Sequence, residues 1–215
     1  MLIKLERGIN RLMDWVGVAA ALLLILLVVV ITFNVSNRYI LNIDNVGVGA
    51  EELAWHFYAA CFLLGIPYAL RSGSHVRVDL IFENLSLKTR SIIDLVGSLI
   101  FLIPLCLVAI WSGWSFTQEA WGLGSRPDGL GALIKQMVTT GIGEKSQDPG
   151  GLLNRWLIKG VIPLSFFLLL LASISFFIHK VNVLMGLETE NEQDDVHGHH
   201  GQAFVDASDD KEKVK

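Results

Sequence analysis

From Trp15 to Phe33 the chain carries no charged side chain, and the stretch VGVAAALLLILLVVVIT inside it is almost entirely aliphatic. A helix rises 1.5 Å per residue, so about 20 such residues cross a hydrocarbon core of about 30 Å. Lipid offers no hydrogen bonds to a backbone, so a single segment of this kind must be a helix. Three further runs meet the same test. The expected helices cover residues 15–35, 52–70, 92–114 and 157–178, the last containing PLSFFLLLLASISFFI. The fold class is therefore an all-α membrane protein with four transmembrane helices within residues 14–180. Composition agrees, since 52% of the 215 residues are hydrophobic, 18% are charged and the mean hydropathy is +0.51. Those values suit a small polytopic membrane protein better than a soluble domain. The first run exceeds the roughly 7–15 residues of a signal-peptide core. No small-residue cleavage site follows it, so it is expected to be a retained helix.

Lys and Arg near the helix ends set the expected orientation. Lys4, Arg7 and Arg11 precede the first helix, Arg71, Arg77, Lys88 and Arg90 lie between the second and third, and Lys180 closes the fourth. The first loop offers only Arg38 against Asp44, Glu51 and Glu52. In the third, Arg126, Lys135, Lys145, Arg155 and Lys159 are diluted by Glu119, Asp128, Glu144 and Asp148, although Arg155 and Lys159 pull mildly the other way. Both termini are expected in the cytoplasm.

Outside the membrane runs, Leu2, Leu5, Ile9 and Leu12 alternate with Lys4, Arg7 and Arg11 at helical spacing. Residues 1–13 are either an amphipathic helix lying on the inner leaflet or a plain extension of the first membrane helix. In the third loop, Leu130, Leu133, Ile134, Met137 and Val138 predict a short interfacial helix, followed by a flexible TTGIGEKSQDPGG. Residues 181–215 form an acidic tail with too few apolar residues to fold, and they are expected to be disordered.

No catalytic or cofactor set emerges, and the chain is not expected to be an enzyme. Cys61 and Cys106 fall inside apolar runs and read as buried free thiols. His197, His199 and His200 sit in the solvated tail without fixed geometry for a metal. Gly122, Gly124, Gly129 and Gly131 lack the strand–turn–helix setting of a phosphate loop. A membrane anchor of a respiratory electron-transfer complex is the alternative function, and it would need paired haem ligands. His75 and His179 share one end but fall in a loop and at a helix end, and His56 lies at the other end. Transporter cores usually show internal repeats and helices broken at the midplane. Here no repeat is visible. Pro67 and Pro104 would kink helices two and three, while Pro163 is expected in the first turn of helix four, where proline is tolerated. Glu51, Glu52 and Asp94 lie at helix ends, so the helices are expected to bury no charge.

The order of features resembles the small membrane subunit (the Q-type, or small permease, component) of tripartite ATP-independent periplasmic (TRAP) transporters. The resembling residues are Arg38-Tyr39, Glu51-Glu52-Leu53, Gly65, Ala69 and Leu70, then Arg71-Ser72-Gly73-Ser74-His75-Val76-Arg77-Val78-Asp79. Leu85, Arg90 and Asp94 follow, and Trp156, Lys159 and Pro163 open the fourth helix. The likeness covers roughly residues 10–180, and the string around His75 is its most specific part. Residues 122–149 are longer than in the shortest members and the acidic tail has no counterpart, so neither inherits a role.

What the resemblance implies is a scaffold subunit in a three-part importer of the bacterial inner membrane. A periplasmic binding protein would capture a small carboxylate, and a large permease subunit would carry it inward on a sodium gradient. The small subunit would bind neither substrate, cofactor nor nucleic acid. Its structural or interface residues would be Arg38, Glu51, Glu52, Gly65, Arg71, His75, Arg77, Asp79, Arg90, Trp156, Lys159 and Pro163. If residues 75–80 are extended, His75, Arg77 and Asp79 face one way and Val76, Val78 and Leu80 the other. The polar edge would meet phospholipid headgroups or partner carboxylates; the plainer reading is a positive-inside loop with snorkelling side chains. Arg38 is expected to pair with Glu51 or Glu52 across the first loop, and Gly65 with Ala69 to allow a close helix contact. Trp111, Trp114 and Trp121 read as an interfacial belt rather than a binding cage.

Overall fold

A computed structural model describes residues 2–40, 48–72, 87–124 and 127–184. These form helices α1 (Leu2–Tyr39), α2 (Val48–Arg71), α3 (Leu87–Gly97), a π-helical turn (Ser98–Leu102), α4 (Ile103–Gly122), α5 (Leu130–Thr139) and α6 (Trp156–Leu184). No strand occurs among the described residues. Four stretches are long and apolar enough to span a membrane: Leu5–Tyr39, Val48–Arg71, Leu95–Gly122 and Trp156–Asn182. Each overruns its apolar core. Hydropathy marks only where polar side chains are excluded, whereas backbone hydrogen bonding continues for further turns beyond it. Residues 2–13 are the first turns of α1, with no break before the membrane run. The helix is continuous across that segment.

Helix α6 is the hub. In its most apolar window 39% of residues are buried, against 11% in each of the other three spans. It stands between the α1–α2 pair on one side and α4 on the other. We call the end where α1 begins and α6 finishes the terminal end, and the opposite end, which carries α5, the loop end. Met13, Leu168 and Ala172 form a small buried core, with Ile9, Val16, Leu64, Leu70 and Leu171 packed around it. Leu22, Ile25, Val29 and Phe33 of α1 and Leu105, Val108 and Trp111 of α4 face outward. Such surfaces suit hydrocarbon rather than water.

The three membrane prolines are accommodated differently. Proline lacks a backbone N–H, so the carbonyl four residues earlier loses its helical donor. For Pro67, buried inside α2, that carbonyl belongs to Leu63, and Ser165 of α6 donates its hydroxyl there. Pro104 follows the π-helical turn at the start of α4, where the Ile103 N–H reaches back to the Ser98 carbonyl. A widened turn of this kind is a common way to relieve a helix irregularity. Pro163 corrects the expectation that it lies in the first turn. The helix starts at Trp156, so Pro163 lies inside it. Its ring is fitted by Gly113 of α4, where an added Cβ would come within 3.1 Å of the Pro163 Cδ.

Two further expectations are overturned. Gly65 makes no close contact with the described residues, because a Cβ there would meet nothing within 4 Å. The tight crossing of α1 and α2 is at Gly17, where a Cβ would lie 2.5 Å from the Tyr68 ring. Nor are the helices free of buried charge. Glu6, His179 and Lys180 are all buried at the terminal end, with His179 Nδ1 3.1 Å from Glu6 Oε1. Hydropathy could not show this, because Glu6 and His179 lie 173 positions apart and become neighbours only when α1 and α6 pack antiparallel.

Candidate functional site

Among the described residues the third loop is the most elaborated connection, and it is built on Glu52. This carboxylate opens α2 and accepts two hydrogen bonds from the loop. Ser146 Oγ donates to Oε1 at 2.5 Å and the Leu152 N–H to Oε2 at 2.7 Å. The Ser146 N–H donates to the Leu152 carbonyl at 2.9 Å, closing the segment on itself. Beside it the Gly49 N–H donates to the Gly150 carbonyl at 3.0 Å, and a Cβ on Gly49 would lie 2.7 Å from that oxygen.

Glycines and one asparagine set the path between α5 and α6. Gly141 (φ 75°) ends α5, its N–H donating to the Gln136 carbonyl at 2.7 Å, a left-handed helix stop that favours glycine. Asn154 also has positive φ, 60°, which asparagine tolerates best among residues with a side chain. Its Oδ1 accepts from the Ile142 N–H at 2.7 Å and its Nδ2 donates to the Met137 carbonyl at 2.9 Å. Glu144 joins three elements. Its N–H donates to the Ala120 carbonyl of α4 at 2.8 Å, and its carbonyl accepts from the Arg155 N–H at 2.9 Å. Its carboxylate pairs with Lys159 of α6. The segment expected to be flexible is therefore clasped, because its backbone groups have specific partners on the membrane helices.

The residues singled out in the sequence distribute as follows. Arg38 pairs with Glu51 at 3.6 Å, both exposed, while Glu52 serves the third loop. Arg71 pairs with Asp14 of α1 at the terminal end. Lys159, besides its bond to Glu144, lies 3.9 Å from the centre of the Phe116 ring. Trp156 packs edge-on against Trp121 with ring centres 4.4 Å apart, whereas Trp111 and Trp114 face outward. His56 donates from Nδ1 to the Glu52 carbonyl at 2.6 Å. Arg90 lies in α3. His75, Arg77 and Asp79 lie outside the described residues, as does the tail with His197, His199 and His200.

Sequence reasoning missed Asp14, Glu144, Ser146, Asn154 and Ser165. Only Asp14 left a usable signal, as a lone acid at the depth of Arg71. The arrangement ties helix to helix and loop to helix. Among the described residues no group of three or more potential ligands could hold a metal. Two grooves on the helix surfaces are walled mainly by apolar side chains.

The family described as tripartite ATP-independent periplasmic transporters, DctQ component, matches residues 27–182, from mid-α1 almost to the end of α6. The chain belongs to the DctQ family. No curated protein and no solved structure matches it. The DctQ match takes in the latter part of the first membrane segment, the other three whole and the clasped loop, and it decides between the two functional classes left by the sequence. A DctQ chain is a multi-pass membrane component of a tripartite transporter, whose other parts are a large permease and a binding protein.

Proposed function

We propose that this DctQ chain is the scaffold subunit of a TRAP-type importer in the inner membrane, with both termini cytoplasmic. It braces the large permease subunit while that subunit carries a small carboxylate inward on a sodium gradient. A periplasmic binding protein delivers the carboxylate. The observation that carries this reading is where the polar side chains go. Glu52, Glu144, Lys159, Asp14, Arg71 and Ser165 are engaged with the chain's own helices and loop, and they do not converge on a common cavity. A subunit built this way presents a fixed shape and leaves substrate chemistry to its partner. His75, Arg77 and Asp79 are assigned to contacts with the permease or with headgroup phosphates.

The test is uptake of a labelled carboxylate into proteoliposomes holding the permease and binding protein, with and without this chain, under a sodium gradient. Uptake is expected only with the chain present; equal uptake without it would discard the scaffold role. Arg77→Ala should lower uptake or co-purification with the permease. Unchanged values for both would remove that residue from the interface.

A further inference from the structure

A groove of about 320 Å³ runs between α1 and α2 at the loop end. Its walls are Leu27, Ile31, Val35, Ala54, Trp55 and Tyr58, with the amide of Asn34 and the carboxylate of Glu51 as polar additions. Both helices belong to membrane-spanning stretches, so the groove opens onto hydrocarbon. It descends from Val35 to Leu27, eight residues or about 12 Å of helix, close to the depth of one leaflet of a core about 30 Å thick.

We propose that this groove holds one zwitterionic glycerophospholipid, with an acyl chain between α1 and α2 and the headgroup on the Arg38–Glu51 pair. The mouth has the matching charges. Arg38 suits the phosphate and Glu51 the ammonium, and their own contact is a loose 3.6 Å with side chains 66% and 59% exposed. Asn34 lies one turn below Arg38, about 6 Å deeper, at the level expected of the glycerol esters. Its Oδ1 is buried with no protein partner, so its amide is not locked by the fold and its N–H₂ can turn to an ester carbonyl. The exposed, opposite charges at the mouth favour a zwitterionic headgroup over an apolar partner helix, which would bring no charges of its own to them. A single acyl chain fills the slot and brings its own charges to the mouth.

The test is native mass spectrometry of the full chain, alone and with the large permease subunit, released from bilayers of mixed phosphatidylethanolamine and phosphatidylglycerol. One phosphatidylethanolamine per chain should survive release in both samples. The paired variant Arg38→Gln with Glu51→Gln should retain it about tenfold less well, with unchanged far-ultraviolet ellipticity. As a second readout, a chain keeping Trp55 as its only tryptophan should be quenched by phosphatidylethanolamine with a dibrominated acyl chain at one lipid per protein. Equal retention of the two lipids, retention unchanged in the paired variant, or quenching only when bulk lipid is in excess would each overturn the proposal. So would loss of both lipid and quenching on adding the permease, since a protein surface would then fill the groove. None of these readouts involves transport, so the inference stands or falls separately from the importer reading.

Discussion

Ser165→Ala tests how this bundle tolerates a proline in mid-membrane. Pro67 withholds an N–H from the Leu63 carbonyl, and the Ser165 hydroxyl replaces it from the neighbouring helix. Ser165 is 1% exposed, so little solvent can reach the bond. Interhelical hydrogen bonds in membrane proteins average about 0.6 kcal/mol, with a maximum of about 1.7. A buried acceptor left without a donor costs about 1–3 kcal/mol. The substitution both removes the bond and strands the carbonyl, which places the loss at about 1.5 kcal/mol. Pro67→Ala provides the control. It restores an N–H to position 67, which closes the α2 ladder onto Leu63, so Ser165→Ala should then cost about 0.5 kcal/mol or less. The assay is equilibrium unfolding of the full chain in mixed micelles, following ellipticity against the fraction of denaturing detergent for all four proteins. A coupling of about 1 kcal/mol is expected. If Ser165→Ala costs the same in both backgrounds, the serine only fills space and the argument from the freed carbonyl is refuted.

Three other outcomes follow from the same geometry. Glu52→Ala removes two charge-assisted bonds to the third loop; at about 1.5 kcal/mol each, amide exchange across residues 144–155 should quicken about a hundredfold while α6 stays protected. Unchanged exchange there, or equal loss along α6, would contradict a local clasp. Gly17→Ala drives a methyl into the Tyr68 ring and should destabilise by about 1–3 kcal/mol, whereas Gly65→Ala meets open space and should be neutral or slightly stabilising. Similar effects from the two would show that the α1–α2 crossing is not set at Gly17. Asp14→Arg should lower the unfolding midpoint, and combining it with Arg71→Asp should recover most of the loss. A double variant no better than the single one would mean that the pair does not bridge α1 and α2.

The site residues show how far a linear reading reaches. Arg38 with Glu51 was accessible because the two bracket one short loop, so their depth follows from helix ends alone. Glu52 was the other candidate partner of Arg38, and it turns instead to the third loop. Its partners, Ser146 and Leu152, lie 94 and 100 positions away in a loop whose glycines and polar residues look mobile when read without the helices they bond to. Gly65 with Ala69 had the spacing of a packing step, but spacing cannot say which face of α2 meets α1. The packed face carries Tyr68 against Gly17.

The sequence by itself determined the fold class, the number of membrane crossings and the family likeness. These depend on transfer from water to lipid and on short local patterns, which are properties of neighbouring residues. Only the tertiary structure decided that α6 is the hub, that Ser165 repairs the Pro67 break, that Glu6 is buried beside His179, and that the third loop is clasped on Glu52. Each of these joins residues about 100 positions apart or more, or depends on the rotation of one helix against another. Hydrophobicity places a helix in the bilayer without setting that rotation; side-chain packing and buried hydrogen bonds select it.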